Sequence, residues 1–253
     1  MPLYVRFQRA DGSEGAGLLE GETIRVIEEP FWERTTATGE TVPLADVRLL
    51  PPAKPRSIVC VGLNYASHLS GRPAPNPPVL FFKPLSSIAG PGDPIVLPAN
   101  AGRVEPEGEI VAVIGRTIKG ADRREAEDAI FGYTCGNDVS AREWQRIDGQ
   151  WWRAKGADTF GVVGPAIATE LRHDELEVVT RINGREVQRG RSSELILDIP
   201  EIVRYVSSVM TLVPGDLIFT GTPGEPQPIQ PGDVVEVEIP GIGVLRNPVA
   251  GDE

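Results

Sequence analysis

The chain has 253 residues, 40% hydrophobic and 24% charged, the balance of a soluble globular protein that can bury a sizeable core as one large domain or a large one with a small companion. A formal net charge of −11 argues against a nucleic-acid or anionic-membrane partner, but not against an anionic substrate, because a local metal and a few basic residues invert the local field. No apolar run approaches the roughly 20 residues that span a bilayer, and Met1–Arg6 lacks a signal-peptide pattern. The two cysteines, Cys60 and Cys135, sit in apolar surroundings, so the expectation is a cytoplasmic protein with buried thiols and no disulfide framework.

Residues 1–50 alternate short strand-like pieces with polar turns and run into Leu49-Leu50-Pro51-Pro52-Ala53-Lys54-Pro55. That proline-rich joint is the expected boundary between a small β-rich N-terminal module, 1–50, and a larger domain, 55–253, opening with a strand over Ser57–Gly62. With 24 prolines and 28 glycines, many turns and few long helices are expected. Pro-Gly-Asp triplets at Pro91, Pro214 and Pro231 each precede a β-prone run and predict a turn followed by a strand. The run Ile110–Ile114 reads as a strand buried on both faces. A shorter helix is expected over Ala121–Ile130, and Asn183-Gly184 predicts a hairpin. Asp198 as N-cap, Pro200 in the first turn and the stripe Ile199, Ile202, Val203, Val206, Val209 and Met210 specify one helix. The sum is a β-rich α+β fold.

Three carboxylates carry the chemistry. Glu107 and Glu109 flank Gly108 just before the buried strand, and Asp138 follows in Gly136-Asn137-Asp138-Val139-Ser140. In a strand, residues i and i+2 share a face about 6.5–7 Å apart, so two glutamates so placed can converge on one cation. Burying such acids is costly without a hard divalent metal, and all-oxygen ligands suit Mg²⁺, Mn²⁺ or Ca²⁺ rather than zinc. On spacing alone, Glu-Gly-Glu is more often a solvated strand face. His68, in a turn after a strand, is the better base candidate of the two histidines, although a surface or capping role is the commoner one for such a residue. His173 lies in a charged turn and reads as solvated.

Taken as a set, Gly62–His68, Val79–Pro84, Glu107–Gly115, Gly132-Tyr133, Asn137–Arg142 with Gln145, Lys155–Gly161, Pro214–Asp216 and Thr220–Pro223 resemble the fumarylacetoacetate hydrolase family in order and spacing over about residues 55–247. The resemblance implies a mixed β-roll with few short helices, usually a homodimer, in which Glu107, Glu109 and Asp138 hold Mg²⁺ or Mn²⁺, with Ca²⁺ as a crystallisation substitute. It implies His68 as base, Lys155 as a catalytic and substrate-binding group, and Arg142, Gln145 and Thr222 as substrate contacts. The reaction expected is hydrolytic C–C cleavage of an acylpyruvate, the metal stabilising an enolate of a 2-oxo or 2,4-dioxo acid. The alternatives are decarboxylation or isomerisation of a 2-oxo dicarboxylate, and a catalytically weak metal- or metabolite-binding protein.

The chain departs from the family pattern in two places. Many smaller members carry a glutamate three residues after the histidine, where this chain has Gly71; Glu225, in a distant loop, is the candidate substitute. The larger hydrolases carry an aspartate ligand seven residues before the histidine, where this chain has Val61, so a smaller acylpyruvate-type substrate is expected. Leu69–Pro78 is the expected lid, and Trp151-Trp152 reads as either a substrate wall or an interface patch.

Overall fold

Every residue of the strand Gly108–Ile114 is buried. In the computed structural model, which describes residues 1–69 and 71–252, this strand lies near the middle of a twelve-stranded mixed sheet. Ser70, in the expected lid, and Glu253, the last residue of the expected second domain, lie outside the described residues. Strands hold 43% of the chain and helices 16%, as a β-rich fold with few short helices requires.

The main path of the large sheet runs Ala37–Pro43, Thr23–Ile27, Glu14–Glu20, Leu3–Arg9, Gly161–Ala168, Ile130–Asp138, Gly108–Ile114, Leu217–Phe219, Ile58–Gly62, Val79–Lys83. Neighbours along it pair antiparallel except Leu217–Phe219 on Ile58–Gly62. A five-stranded sheet, Arg185–Arg191, Glu177–Ile182, Val234–Ile239, Gly243–Gly251 and Ile95–Leu97, packs across one face. Along the central strand, Ile110, Ala112 and Ile114 enter the core shared with that second sheet and the long helix. Val111 and Val113 point the other way, among Ile58, Cys60, Leu217 and Phe219. Burial on both faces explains an uninterrupted apolar run in place of an alternating one.

Residues 1–50 join the large sheet through Leu3↔Ala168 and Tyr4↔Ile167. Tyr4, Phe31 and Trp32 pack with Phe131 in an aromatic cluster, ring centroids 4.6–5.9 Å apart. Arg6 is buried, pairs with Glu14 at 2.6 Å and donates to the Pro51 carbonyl at 3.2 Å, pinning the proline-rich joint.

The Pro-Gly-Asp triplets form the expected turns. Gly92, Gly215 and Gly232 have φ of +81°, +90° and +94°. Asp93, Asp216 and Asp233 each accept the N–H three residues back, from Gly90, Val213 and Gln230, at 2.7–2.9 Å, and strands follow at Ile95, Leu217 and Val234. Asn183 and Gly184, both at positive φ, close the hairpin.

The long helix is Ile199–Val209, with the Asp198 carboxylate accepting the Glu201 N–H at 3.0 Å. Its stripe differs at two positions: Val209, the last residue of the helix, is 74% exposed, and Met210 is the C-cap, already in an extended conformation. The shorter helix is trimmed to Arg123–Asp128, since Asp122 and Glu125 form a capping box and Ile130 already begins the next strand. Both cysteines are free and buried, and burial pushes the Cys135 thiol up to about 12. Among the described residues no helix is long and apolar enough to cross a membrane.

Candidate functional site

Strand register brings the three acids together. Gly108 pairs with Asn137 and Glu109 with Gly136, so Glu107 lies across from Asp138, whose N–H donates to the Glu107 carbonyl at 2.9 Å. Asn137 Oδ1 accepts the Glu107 N–H at 2.9 Å and sets the bend before the strand. One carboxylate oxygen from each of Glu107, Glu109 and Asp138 lies within 4.8 Å of the others, and all three residues are buried. Gly108 is required between the glutamates: a Cβ there would stand 1.9 Å from Thr180 Oγ1 of the second sheet.

Three basic groups contact the acids, and a fourth, Arg103, pairs with the neighbouring Glu105. Lys155 Nζ donates to Glu107 Oε2 at 2.5 Å and Asp138 Oδ2 at 2.8 Å. Lys83 Nζ stands 2.6 Å from Asp138 Oδ1 and donates to the Phe160 carbonyl at 2.9 Å and to the Lys155 carbonyl. Arg142 donates to Glu105, Gln145 and Glu107 through Nε, Nη1 and Nη2. Arg103 pairs with Glu105. Burial raises the pKa of Glu107, but Lys155 and Arg142 outweigh it and hold this carboxyl well below the usual range. Glu109 goes the other way: burial, then the charges of Asp138 and Glu107, push its pKa well up, against the Lys155 charge and one N–H donated by Gly221 at 2.7 Å.

This donor set suits a hard divalent cation. The ligand atoms are all carboxylate oxygens, Asp138 Oδ1 is buried without a well-directed hydrogen bond, and Glu109 is the acid that bound positive charge would relieve most.

His68 ends the single turn Ala66–His68. Asn64 fixes that turn through three bonds, to the Leu197 N–H and carbonyl and to the Thr220 carbonyl, at 2.8–3.0 Å. His68 Nδ1 lies 2.8 Å from the Gly224 carbonyl oxygen. A carbonyl only accepts, so Nδ1 carries the hydrogen, and in the neutral imidazole it is Nε2 that presents the lone pair. Gly224 N–H donates in return to Ser67 Oγ at 3.0 Å.

An inner cavity of about 20 Å³, lined by His68, Glu107, Glu109, Lys155, Trp151 and Thr222, adjoins an outer recess of about 370 Å³ that shares His68 and reaches Arg103, Arg142 and Glu225. Gln145 and Val61 also line the inner cavity. Thr222 Oγ1 donates to the Gly108 carbonyl at 2.9 Å and accepts from Gln188 at 2.8 Å. Glu225 is exposed on the outer rim, one residue beyond the carbonyl that partners His68. Gly71 has φ +81° and open space around it. The tryptophans divide: Trp151 stacks edge-on against Phe81 beside the inner cavity, whereas Trp152 is 68% exposed. His173 is half-buried rather than solvated, 3.6 Å from Glu127 in a separate pocket of about 240 Å³.

The family model described as Fumarylacetoacetate (FAA) hydrolase C-terminal matches residues 57–250, and a Rv2993c-like N-terminal model matches residues 3–52. The chain belongs to the fumarylacetoacetate hydrolase family. Protein Rv2993c of Mycobacterium tuberculosis is 51% identical over 254 residues, covering 98% of this chain and 95% of that protein. The crystal structure of 2-hydroxyhepta-2,4-diene-1,7-dioate isomerase from Mycobacterium marinum superposes with a TM-score of 0.93 at 47% identity, covering 100% of this chain and 99% of that one. Maleylpyruvate hydrolase from Sphingobium sp. SYK-6, solved with manganese(II) and pyruvate, superposes at 0.80 with 29% identity over 98% of this chain and 100% of that one. The family thus includes isomerases and hydrolases, and one of these relatives binds a divalent metal.

Sequence reasoning passed over Lys83, Glu105, Asn137 and Arg103 as site residues. Lys83 had a signal: a lysine closing the apolar run Val79–Phe82 is one that burial would force to pair. Glu105 and Arg103 had none, because their meeting with Arg142 depends on the pairing of Val104–Glu105 with Ser140–Ala141.

Proposed function

We propose that the protein is a divalent-metal-dependent enzyme that moves a proton within a 2-oxo acid, a keto–enol or double-bond isomerase. The observation that carries this reading is the partner of His68. A carboxylate on Nδ1 would stabilise the imidazolium and strengthen the base; here the partner is the Gly224 carbonyl, and Gly71 stands where the family's glutamate would. Such an imidazole suits removing a proton from an activated carbon and returning it, a smaller demand than making hydroxide from water.

A cation held by Glu107, Glu109 and Asp138 supplies Lewis-acid polarisation of the 2-oxo group when bound. The chain's own groups do the rest. His68 Nε2 takes the proton from the carbon beside the oxo group and delivers it to the oxygen or to a vinylogous carbon. Lys155, fixed between Glu107 and Asp138, places positive charge beside the reacting oxygen. Arg142 donates to Gln145 Oε1 at 2.8 Å and so aligns the Gln145 amide toward the substrate carboxylate, and Thr222 shapes the floor. Val61 and Trp151 keep that floor apolar.

A second reading is hydrolytic cleavage of an acylpyruvate. The inner cavity beside His68 has room for about one water-sized group, and the manganese-bound relative above is a hydrolase. Ultraviolet absorbance with oxaloacetate and a panel of acylpyruvates, in Mg²⁺, Mn²⁺ or EDTA, separates the two. Metal-dependent loss of enol absorbance with no pyruvate released supports the isomerase, pyruvate plus a free acid supports the hydrolase, and no metal-dependent change with any substrate sinks both.

We further propose that residues 1–50 and 55–253 form two modules, that the protein is cytoplasmic, and that it is a homodimer. The free buried thiols support the compartment, and exposed Phe82 and Trp152 give a second copy apolar surface to cover. Analytical ultracentrifugation decides the assembly.

A further inference from the structure

We propose that Arg103 is a specificity-determining residue that recognises a second negative charge on the end of the substrate remote from the three acids, so that 2-oxo dicarboxylates are preferred. This rests on the 2-oxo acid reading above.

Arg103 is built into position. Its backbone N–H donates to Glu143 Oε2 at 2.5 Å and its carbonyl accepts the Arg142 N–H at 2.8 Å. Gly102 before it has φ +67°, and a Cβ there would stand 2.6 Å from the Glu143 carboxyl group, so the chain presses against this anchor. Nε and Nη2 of Arg103 both meet Glu105 Oε1 at 2.5 Å. Glu105 is itself buried, with a side chain 6% exposed, whereas the Arg103 side chain is 51% exposed and lines the outer recess. A buried carboxylate thus orients a guanidinium that still reaches solvent, and orientation in advance lowers the cost of binding.

The other arginine of the recess is engaged. Arg142 places its three nitrogens on Glu105, Gln145 and Glu107, while Arg103 keeps Nη1 outside any ion pair or hydrogen bond among the described residues. Glu225, the remaining acid of the recess, is exposed on the rim, where water screens it.

Calorimetric titration of the Mn²⁺-loaded protein with 2-oxoglutarate and 2-oxopentanoate, acids of equal chain length with and without the distal carboxylate, tests the assignment. The expected result is tighter binding of the dicarboxylate by about tenfold or more, a ratio that drops below about threefold in Arg103→Gln and falls between these in Arg103→Lys, which keeps the charge and loses the fork. Arg172→Gln, at the separate pocket, should keep the wild-type ratio. A wild-type ratio near one, a ratio unaltered in Arg103→Gln, or an equal drop in Arg172→Gln overturns the proposal. Binding of neither acid, with Mn²⁺ still raising Tm, sinks the 2-oxo acid reading and this inference with it; equal binding of both acids sinks this inference alone.

Discussion

Lys83 Nζ lies 2.6 Å from Asp138 Oδ1, with side chains 0% and 2% exposed. The same ammonium donates to the carbonyls of Phe160 and Lys155, so one group ties the edge strand Val79–Lys83 to an acid of the site and to the backbone of a second lysine. Lys83→Met removes the charge and keeps the bulk. Breaking a buried pair costs about 3–5 kcal/mol, so chemical denaturation of the metal-free protein should show a loss of that order. Mn²⁺ should restore part of it, and a loss below about 1 kcal/mol would contradict the structural role given to the pair.

Metal binding should appear as stabilisation. A ligand that binds only the folded state at about 100 times its Kd adds roughly 2.7 kcal/mol. Thermal unfolding of the wild type should therefore shift upward with Mn²⁺ or Mg²⁺ and return with EDTA. Glu109→Ala should fold and lose the shift, since its acid gives up two unfavourable carboxylate neighbours and one Gly221 N–H bond.

His68→Gln should separate chemistry from binding. Loss of a general base typically lowers turnover by about 10²–10⁴-fold. The Mn²⁺-induced rise in Tm should persist, because His68 is bonded to Gly224 and not to the three acids. A variant that loses the thermal shift along with turnover would place His68 among the metal-binding groups instead.

Gly108→Ala should be more damaging than its size suggests. The new methyl would meet Thr180 Oγ1 at 1.9 Å, and overpacking of this kind costs about 1–3 kcal/mol. The second sheet would have to back away from the pair of glutamates, so calorimetry should find weakened Mn²⁺ binding together with the lower stability.

Asp198 supplies a pH test remote from the site. Arg123 holds its carboxyl below the ordinary value of 3.8 through two bonds, at 2.8 and 2.7 Å, and the Glu201 N–H adds to this. A depressed folded-state pKa gives stability that is present above 3.8 and lost as pH falls through the folded value. The difference in unfolding free energy between wild type and Asp198→Asn should therefore be steady near neutrality and shrink on acidification below about pH 4. Asp198→Ala, which also removes the cap, should cost about 1 kcal/mol at neutral pH.

Local chemistry was the legible part of the sequence. The Pro-Gly-Asp turns, the Asn183-Gly184 hairpin, the Asp198 cap and the strand after Glu109 each depend on a few neighbouring residues, and each formed as expected. Glu107 and Glu109 were legible as a same-face pair before an apolar run, a pattern that on spacing alone favours a solvated face, and the resemblance to the family joined Asp138 to them. What escaped depends on register between distant segments. The Gly224 carbonyl reaches His68 across 156 residues of chain, Arg142 finds Glu105 across 37, and Lys83 meets Asp138 only once the sheet is closed. The half-buried setting of His173 comes from Glu127 on another element, which no inspection of Leu171–Glu175 would reveal.

Glu109 and Asp138 belong to paired core strands and Glu107 sits in the two-residue link just before the first of them, whereas Arg103, Gly224 and Glu225 sit on more distant connecting segments. Reactivity and selectivity are thereby separable traits. A descendant of this chain can exchange one recess residue at a time and acquire a new substrate without reopening the sheet that holds the acids. For protein engineering, the first library belongs at residues 101–103 and 223–227, with the Glu-Gly-Glu strand left untouched.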